Sequence, residues 1–337
     1  MFRITSRIHT RLFIFTTALA LAACVSGGGN HVTAPTDGTR ATLAILESTD
    51  IHSNLVGYDY YKLAEDKSIG FDRLATLVRE ARKQYENTLL FDAGDTIQGT
   101  ALSDWRALAA PLPCAKELTV YKAMDALGYD GGTIGNHEFN YGLPFLAQVT
   151  GHPMNVDGVS KQRCAGPHFP QVLANVVSAR DNQPIFPPFA VLDRTIKVRD
   201  ASGHESSAPI RIGIIGFTPP TVANWDKHNL AGKVIAQGLV ESAQKYLPAL
   251  LAKNVDIVIA ISHGGIDTSP YSSEMESANW YLAEVPGIDV LLLGHSHLPF
   301  PAPNDQKSRF NNLPEVDNVR GFVHGKPAVM ANFWGKS

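Results

Sequence analysis

Eight polar side chains, spread over five short stretches, have residue types and spacings that could do chemistry. The stretches are Asp50-x-His52, Gly94-Asp95, Gly135-Asn136-His137-Glu138, Ser262-His263-Gly264-Gly265 and Gly294-His295-Ser296-His297. The groups are carboxylates, imidazoles and one amide, with no thiolate in any of the stretches. That mixture suits borderline or hard divalent ions (Zn, Mn, Fe or Co) rather than soft-metal or iron–sulfur sites. Seven of them, Asp50, His52, Asp95, Asn136, His263, His295 and His297, exceed what one ion needs. They match two divalent ions sharing a carboxylate bridge. Two metals about 3.5–4 Å apart clamp the attacking and leaving oxygens of an in-line displacement at phosphorus.

Each stretch alone has a plainer explanation. Asp50-x-His52 and Gly94-Asp95 read as ordinary turns, Asn136-His137 as a helix cap, and a histidine of Gly294-His295-Ser296-His297 as a satisfied core residue, a theme that Ser262-His263 repeats. What makes them specific is the scaffold that must carry them. Short apolar runs predict strands over 42–46, 88–91, 132–135, 210–215, 256–261 and 289–293. Leu74, Leu77, Val78 and Ala81 recur at helical spacing, Asp72 lies near that helix's start, and Gly128 occupies a helix-stop position. Helices are predicted over 71–85, 120–127, 241–252 and 274–283, whereas 172–198 and the Pro-rich stretch near Phe300 read as irregular. Strand, helix, strand at this spacing implies an α/β protein with parallel pairing. Every one of the chemical stretches then follows a strand, with Asp92 just ahead of Asp95. Ligands of open α/β sheets bind beyond the carboxyl ends of the strands, so residues scattered over the chain should converge on one rim.

Composition narrows the rest. At 337 residues the chain is ample for a large core, and 44% hydrophobic with 18% charged residues excludes a disordered polymer. Lys and Arg number 29 against 32 Asp and Glu, a net charge of -3, so no basic field prepares the protein for a nucleic-acid polymer. A small nucleotide remains open as a substrate, because bound metal supplies the missing positive charge. Arg3, Arg7 and Arg11 precede an apolar run over 12–23, which is half of the roughly 20 residues a membrane-spanning helix requires. A secretory signal over 1–24 fits better. Leu21-Ala22-Ala23-Cys24 resembles the bacterial lipobox, which makes Cys24 the expected lipidation site. Residues 25–40 are rich in Gly, Ser, Thr and Pro and read as a flexible tether. The expectation is an exported, periplasmic monomer that meets the membrane only through a lipid anchor. In an oxidising compartment the remaining even pair, Cys114 and Cys164, predicts a disulfide between two loops.

In their order, the five stretches resemble the signature of calcineurin-type metallophosphoesterases. The words 135-GNHEFNYG-142, 216-GFTPP-220 with Trp225-Asp226-Lys227, and 329-VMANFWG-335 are similar to the exported bacterial 2′,3′-cyclic-nucleotide 2′-phosphodiesterase/3′-nucleotidase branch. The likeness runs from about Thr42 to the last residue. It implies a two-sheet α/β sandwich flanked by helices, with a dimetal site at the strand ends. Carried over by motif, Asp50, His52 and His297 would hold one ion, Asn136, His263 and His295 the other, and Asp95 would bridge. His137 would face the phosphate as the catalytic residue, stabilising charge or protonating the leaving oxygen. Glu138 would be structural and Asp92 would orient the Asp95 turn. Related 5′-nucleotidases carry an Asp where this chain has Asn140, which favours the cyclic-nucleotide branch. The implied reaction opens a 2′,3′-cyclic ribonucleotide to the 3′-nucleotide and then releases nucleoside and phosphate. The family's base-stacking second domain is absent from 41–337, so the catalytic domain is expected to be cut short at its C-terminal end. The resemblance leaves two other outcomes: a 5′-nucleotidase, nucleotide-sugar or sulfur-ester hydrolase on the same rim, or a lipid-anchored metal-binding module without turnover.

Overall fold

The structure is a computed structural model that describes residues 2–4 and 38–336. The expected signal and lipobox, and the tether as far as residue 37, lie outside the described residues apart from 2–4. The main elements alternate. Strand β1 (Leu43–Ser48) leads to helix α1 (Phe71–Gln84), β2 (Thr88–Asp92), α2 (Thr119–Leu127), β3 (Gly131–Thr133), α3 (Gly142–Thr150) and β4 (Gln171–Val172). The second half runs β5 (Phe189–Arg199), β6 (Glu205–Phe217), α4 (Leu239–Leu251), β7 (Ile257–Ser262), α5 (Asn279–Glu284), β8 (Val290–Leu293) and β9 (Lys326–Ala331).

Two sheets result. In the first, β1, β2, β3 and β4 lie side by side and all pair in parallel, with Phe2–Ile4 antiparallel on the outer edge of β1. In the second the order is β5-β6-β7-β8-β9, parallel from β6 onward, with β5 antiparallel to β6. The pleat assigns alternate residues to opposite faces. From β6 to β8, Ile212, Ile214, Ile259, Ile261, Val290 and Leu292 meet Leu43, Ile45, Leu89 and Phe91 of the first sheet in one buried cluster. Their neighbours Ile215, Phe217, Val258, Ala260, Leu291 and Leu293 turn the other way, onto α4 and α5 residues such as Ala243, Leu247 and Leu282. Leu90 and Ile134 likewise turn outward, onto Val78 of α1, Met124 of α2 and Leu146 of α3. Strands covered on both faces need continuous apolar runs, and β7 and β8 are such runs. The sheets therefore pack against each other and are covered by helices outside, which is the two-sheet sandwich implied by the resemblance.

Two expectations need correction. The stretch read as irregular over 172–198 holds an eleven-residue strand, β5, which pairs along its length with β6. Its Leu192, Ile196 and Val198 are buried, and the intervening Asp193, Thr195 and Lys197 are exposed. This is the period-two pattern of a one-sided edge strand, masked in sequence by Pro184, Pro187 and Pro188 just upstream. The helix expected over 274–283 forms only at Asn279–Glu284. Glu276, ahead of it, is instead held by the rim, with Oε1 2.7 Å from His295 Nε2, and Asn279, the first helical residue, donates through Nδ2 to the Gly264 carbonyl at 2.7 Å. Tertiary contacts here outweigh helix propensity.

The sulfurs of Cys114 and Cys164 are bonded at 2.09 Å, with Cα atoms 4.6 Å apart. Among the described residues no helix is long and apolar enough to cross a membrane.

Candidate metal centre and active site

All the predicted chemical residues stand at carboxyl ends of strands, and the fold brings them to one rim. Asp50 and His52 leave β1, Asp95 leaves β2, Asn136 and His137 leave β3, His263 leaves β7, and His295 and His297 leave β8. Donor atoms of Asp50, His52 and His297 form one cluster, and those of Asp95, His263 and His295 a second. A third group, His52, Asp95 and His137, joins the two. Asp95 Oδ2 lies 2.9 Å from His263 Nε2 and 3.9 Å from His52 Nε2, so a single oxygen stands between the clusters.

The backbone is bent to achieve this. Asp50, His52, Asp95, His295 and His297 all have positive φ, between 49° and 70°. Such left-handed conformations are uncommon for residues with a Cβ and persist only where the surroundings enforce them. Glycines make the close approaches. A Cβ on Gly94 would fall 2.5 Å from the Gly135 nitrogen, and one on Gly135 would fall 2.3 Å from Asp95 Oδ1. Glu138 fastens the same two turns: its carboxylate accepts the backbone N–H groups of Gly135, Asp95, Thr96 and Ile97. Asp92 accepts from Ser48 Oγ at 2.5 Å, Thr96 Oγ1 at 2.7 Å and the Gly94 amide at 3.1 Å. The geometry agrees with the expectation that Glu138 is structural and that Asp92 orients the Asp95 turn. Burial pushes the Asp92 carboxyl up to about 7, against the hydrogen bonds from Ser48 and Thr96.

The residues fit metal ions on three observations. First, Asp50 Oδ1, Asn136 Oδ1 and His263 Nε2 are buried and have no hydrogen-bond partner. Buried polar atoms are rarely left so without a reason. His297 Nε2 comes within 3.1 Å of Asp50 Oδ1, and Asp95 Oδ2 within 2.9 Å of His263 Nε2, without hydrogen-bond geometry. Second, the other atoms of these groups are occupied. Asp50 Oδ2 accepts from Thr49 Oγ1 and the His295 amide, and Asp95 Oδ1 accepts from the His137 amide at 2.7 Å. His52 Nδ1 and His263 Nδ1 face the carbonyls of Gln98 and Ala93 at 2.8 and 2.7 Å, which makes each Nδ1 the N–H donor and aims Nε2 at the rim as the atom available to a metal. His295 Nε2 is held by Glu276, leaving Nδ1 free. Third, the electrostatics favour a cation. Burial opposes charge on His263, but Asp95 and Asp50 outweigh it and hold the imidazole up to about 10. Burial equally opposes ionisation of Asp50 and Asp95, and His263 nevertheless keeps both below the usual carboxylate range. Burial lowers His52 and His295, which keeps those rings neutral and able to ligate.

Sequence reasoning missed several contributors. Glu276 lies far from His295 in the chain, and no local pattern announces it. The Trp225 ring stacks on His295 (centroids 5.5 Å apart, 22° between planes), and Phe333 stacks on His297 at 4.6 Å and 13°. The words holding Trp225 and Phe333 were visible in the sequence, but their contacts were not.

A helix-covered double sheet with an acid-, amide- and imidazole-lined rim defines a class of metal-dependent phosphoesterase scaffolds. The family model for calcineurin-like phosphoesterases matches residues 43–299, and the chain belongs to that family. It is 41% identical over 293 residues to a 2′,3′-cyclic-nucleotide 2′-phosphodiesterase/3′-nucleotidase of Yersinia enterocolitica, covering 87% of this chain and 41% of that protein. A protein of the same description from Haemophilus influenzae is 39% identical, with 88% of this chain and 41% of the other covered. The crystal structure of the calcineurin-like phosphoesterase YfkN from Bacillus subtilis superposes with a TM-score of 0.77 at 36% identity, over 88% of this chain and 83% of that one. The chain thus spans about two fifths of the length of the curated relatives it matches.

Proposed function

We propose that this chain is the catalytic part of a phosphohydrolase that uses two divalent ions. Its substrates on this reading are 2′,3′-cyclic nucleotides, opened to 3′-nucleotides and then cleaved to nucleoside and phosphate. The observation that carries the reading is the set of buried, unpartnered donor atoms on Asp50, Asn136 and His263, with Asp95 Oδ2 2.9 Å from the last of them. Asp50, His52 and His297 would hold one ion, Asn136, His263 and His295 the second, and Asp95 Oδ2 would touch both. When bound, such ions neutralise phosphoryl charge and make a water acidic enough to attack phosphorus near neutral pH. The chain's own groups do the rest. Asn140 Oδ1 lies 2.6 Å from His137 Nδ1, so His137 presents Nε2 to the rim. In its doubly protonated form the ring hands the Nε2 proton to the departing 2′-oxygen in the first step. Once a proton released by the attacking water has restored it, the ring hands one to the 3′-oxygen in the second, keeping the Nδ1 hydrogen on Asn140 throughout. Asn140 in place of an acid, and the names of the relatives at 39–41% identity, support the cyclic substrate over a 5′-nucleotide.

The test is a panel on metal-reconstituted protein: 2′,3′-cyclic AMP, 3′-AMP and 5′-AMP, with products resolved in time. The cyclic compound should be consumed first, with 3′-AMP rising and then falling. Preferential hydrolysis of 5′-AMP would replace this reading with a 5′-nucleotidase, and tight metal binding without turnover would leave a binding module.

On the same footing we propose that the protein works outside the cytoplasm, carried by the 1–24 leader and anchored through Cys24. The Cys114–Cys164 bond supports it, since such bonds persist in oxidising compartments. Cell fractionation of the parent and of Cys24→Ser tests it: the variant should leave the membrane fraction.

A further inference from the structure

In the word Trp225-Asp226-Lys227, Trp225 stacks on His295, but Asp226 is absorbed by neither the metal ligands nor the reaction. In the structure Asp226 sits beyond the rim, half-buried, and its Oδ2 accepts from Asn140 Nδ2 at 2.8 Å. The opposite end of the same amide, Asn140 Oδ1, meets His137 Nδ1 at 2.6 Å. An ionised carboxylate only accepts hydrogen bonds, so the amide group facing Asp226 must be the NH2. The amide oxygen must then face His137, and the ring atom opposite it must carry hydrogen. A chain of three side chains thus has only one consistent direction, and a carboxylate one side chain removed from the imidazole decides which ring nitrogen is protonated.

We propose that Asp226 is a positioning residue for His137, acting through Asn140 to keep a hydrogen on Nδ1, so that Nε2, turned to the substrate, is the ring atom that takes up and delivers the transferred proton. Without the carboxylate, Asn140 is free to reverse its amide, and the ring loses both its fixed tautomer and its fixed plane. The backbone around this relay is secured separately. Asn229 Nδ2 donates to the carbonyls of Asn140 and Phe139 at 3.0 and 3.2 Å, which ties the helical turn Lys227–Leu230 to the His137 turn, and it reaches Asp226 Oδ1 only at 3.5 Å. A change at Asp226 is therefore read through the relay and not through loss of the turn. The inference rests on the assignment of His137 to proton transfer, and its test separates the two.

The experiment compares the full chain with Asp226→Asn, Asn140→Asp and the double variant. In Asp226→Asn the facing groups permit either amide direction. The expected result is a fall in kcat on the order of tenfold, as for lost outer-shell partners, with KM nearly unchanged. In the double variant the carboxylate stands directly on His137 Nδ1 and accepts from the amide introduced at position 226, so every donor again has an acceptor. Most of the lost kcat should return. A second readout needs no turnover: ring 15N shifts of His137 in the metal-free protein should report Nδ1–H in the parent and in the double variant, and a mixture in Asp226→Asn. An unchanged kcat and an unchanged tautomer in Asp226→Asn would overturn the proposal, as would a double variant no better than the single. If the parent hydrolyses no phosphoester, the functional reading fails while the ring shifts still decide the role of Asp226.

Discussion

Asp95 and His137 are joined by one hydrogen bond, from the His137 amide to Asp95 Oδ1, yet their side chains have opposite expected roles. Asp95→Ala removes the one oxygen that faces both clusters, and metal affinity should fall by more than the roughly 10–100-fold typical of outer-shell losses. Metal analysis after dialysis checks this. His137→Ala should keep its metal and lose about 10²–10⁴ in kcat, the usual share of a proton-transfer group. If that variant were instead found empty, His137 would be a ligand and the assignment would change. His263 gives a pH prediction. Its metal-free pKa of about 10 lies above the ordinary histidine value, so near neutral pH it carries a proton that a ligand must lose. Loading metal at pH 7 should expel about one proton from this ring, measured as a buffer-dependent heat by calorimetry. For folding, the shift is upward. The stability His263 gives the metal-free protein is present below the unfolded pKa of about 6.5 and is lost as pH rises towards about 10. Thermal melts of metal-free protein should therefore decline over that window, and melts of loaded protein should not.

The turns after β2 and β3 position more of the rim than any helix does. Glu138 accepts four backbone N–H groups there, so Glu138→Gln turns an NH2 towards part of that set. Each donor left facing it should cost about 1–3 kcal/mol, visible as a lower Tm even without metal. Gly135→Ala drives a Cβ to 2.3 Å from Asp95 Oδ1, so it should displace the whole carboxylate, the bridging Oδ2 with it, and abolish activity while the helices still form by circular dichroism. Strong apolar runs made β1, β2, β6, β7 and β8 readable in the sequence, and a run followed by Asp, Asn or His fixed where the rim would be. Helix α1 was readable for the same reason, since its apolar spacing and the residues at its ends agree with one another. Strand β5 was hidden because its alternation begins right after the Pro187-Pro188 pair. The short helix α5 was overestimated because Glu276, ahead of it, is claimed by His295, a partner that no local pattern reveals. The metal ligands were legible as types and order. The contacts that orient them, Ala93, Gln98 and Glu276, were not, because backbone carbonyls have no sequence signal and the acid lies in a loop.

At the scale of the molecule, the Cys114–Cys164 bond closes a span of 50 residues that contains α2, β3, the Asn136-His137 turn and α3. In the chain-entropy view, such a loop stabilises the fold by about 4 kcal/mol. Reductant, or the Cys114→Ser/Cys164→Ser pair, should lower Tm by several degrees. Turnover at 25 °C should hold, since neither cysteine is among the rim residues. The last described residues have a different relation to the chemistry. The Trp334 amide donates to the Asp50 carbonyl and its own carbonyl accepts from Gly70, both at 2.8 Å, while Phe333 covers the His297 ring. One proton, the amide hydrogen of Trp334, is therefore shielded only while the Asp50 turn keeps its shape. Its replacement by deuterium should slow sharply when the rim takes up cations and should quicken when a chelator strips them. A single backbone position at the far end of the chain thereby becomes a clock for the state of the first ligand.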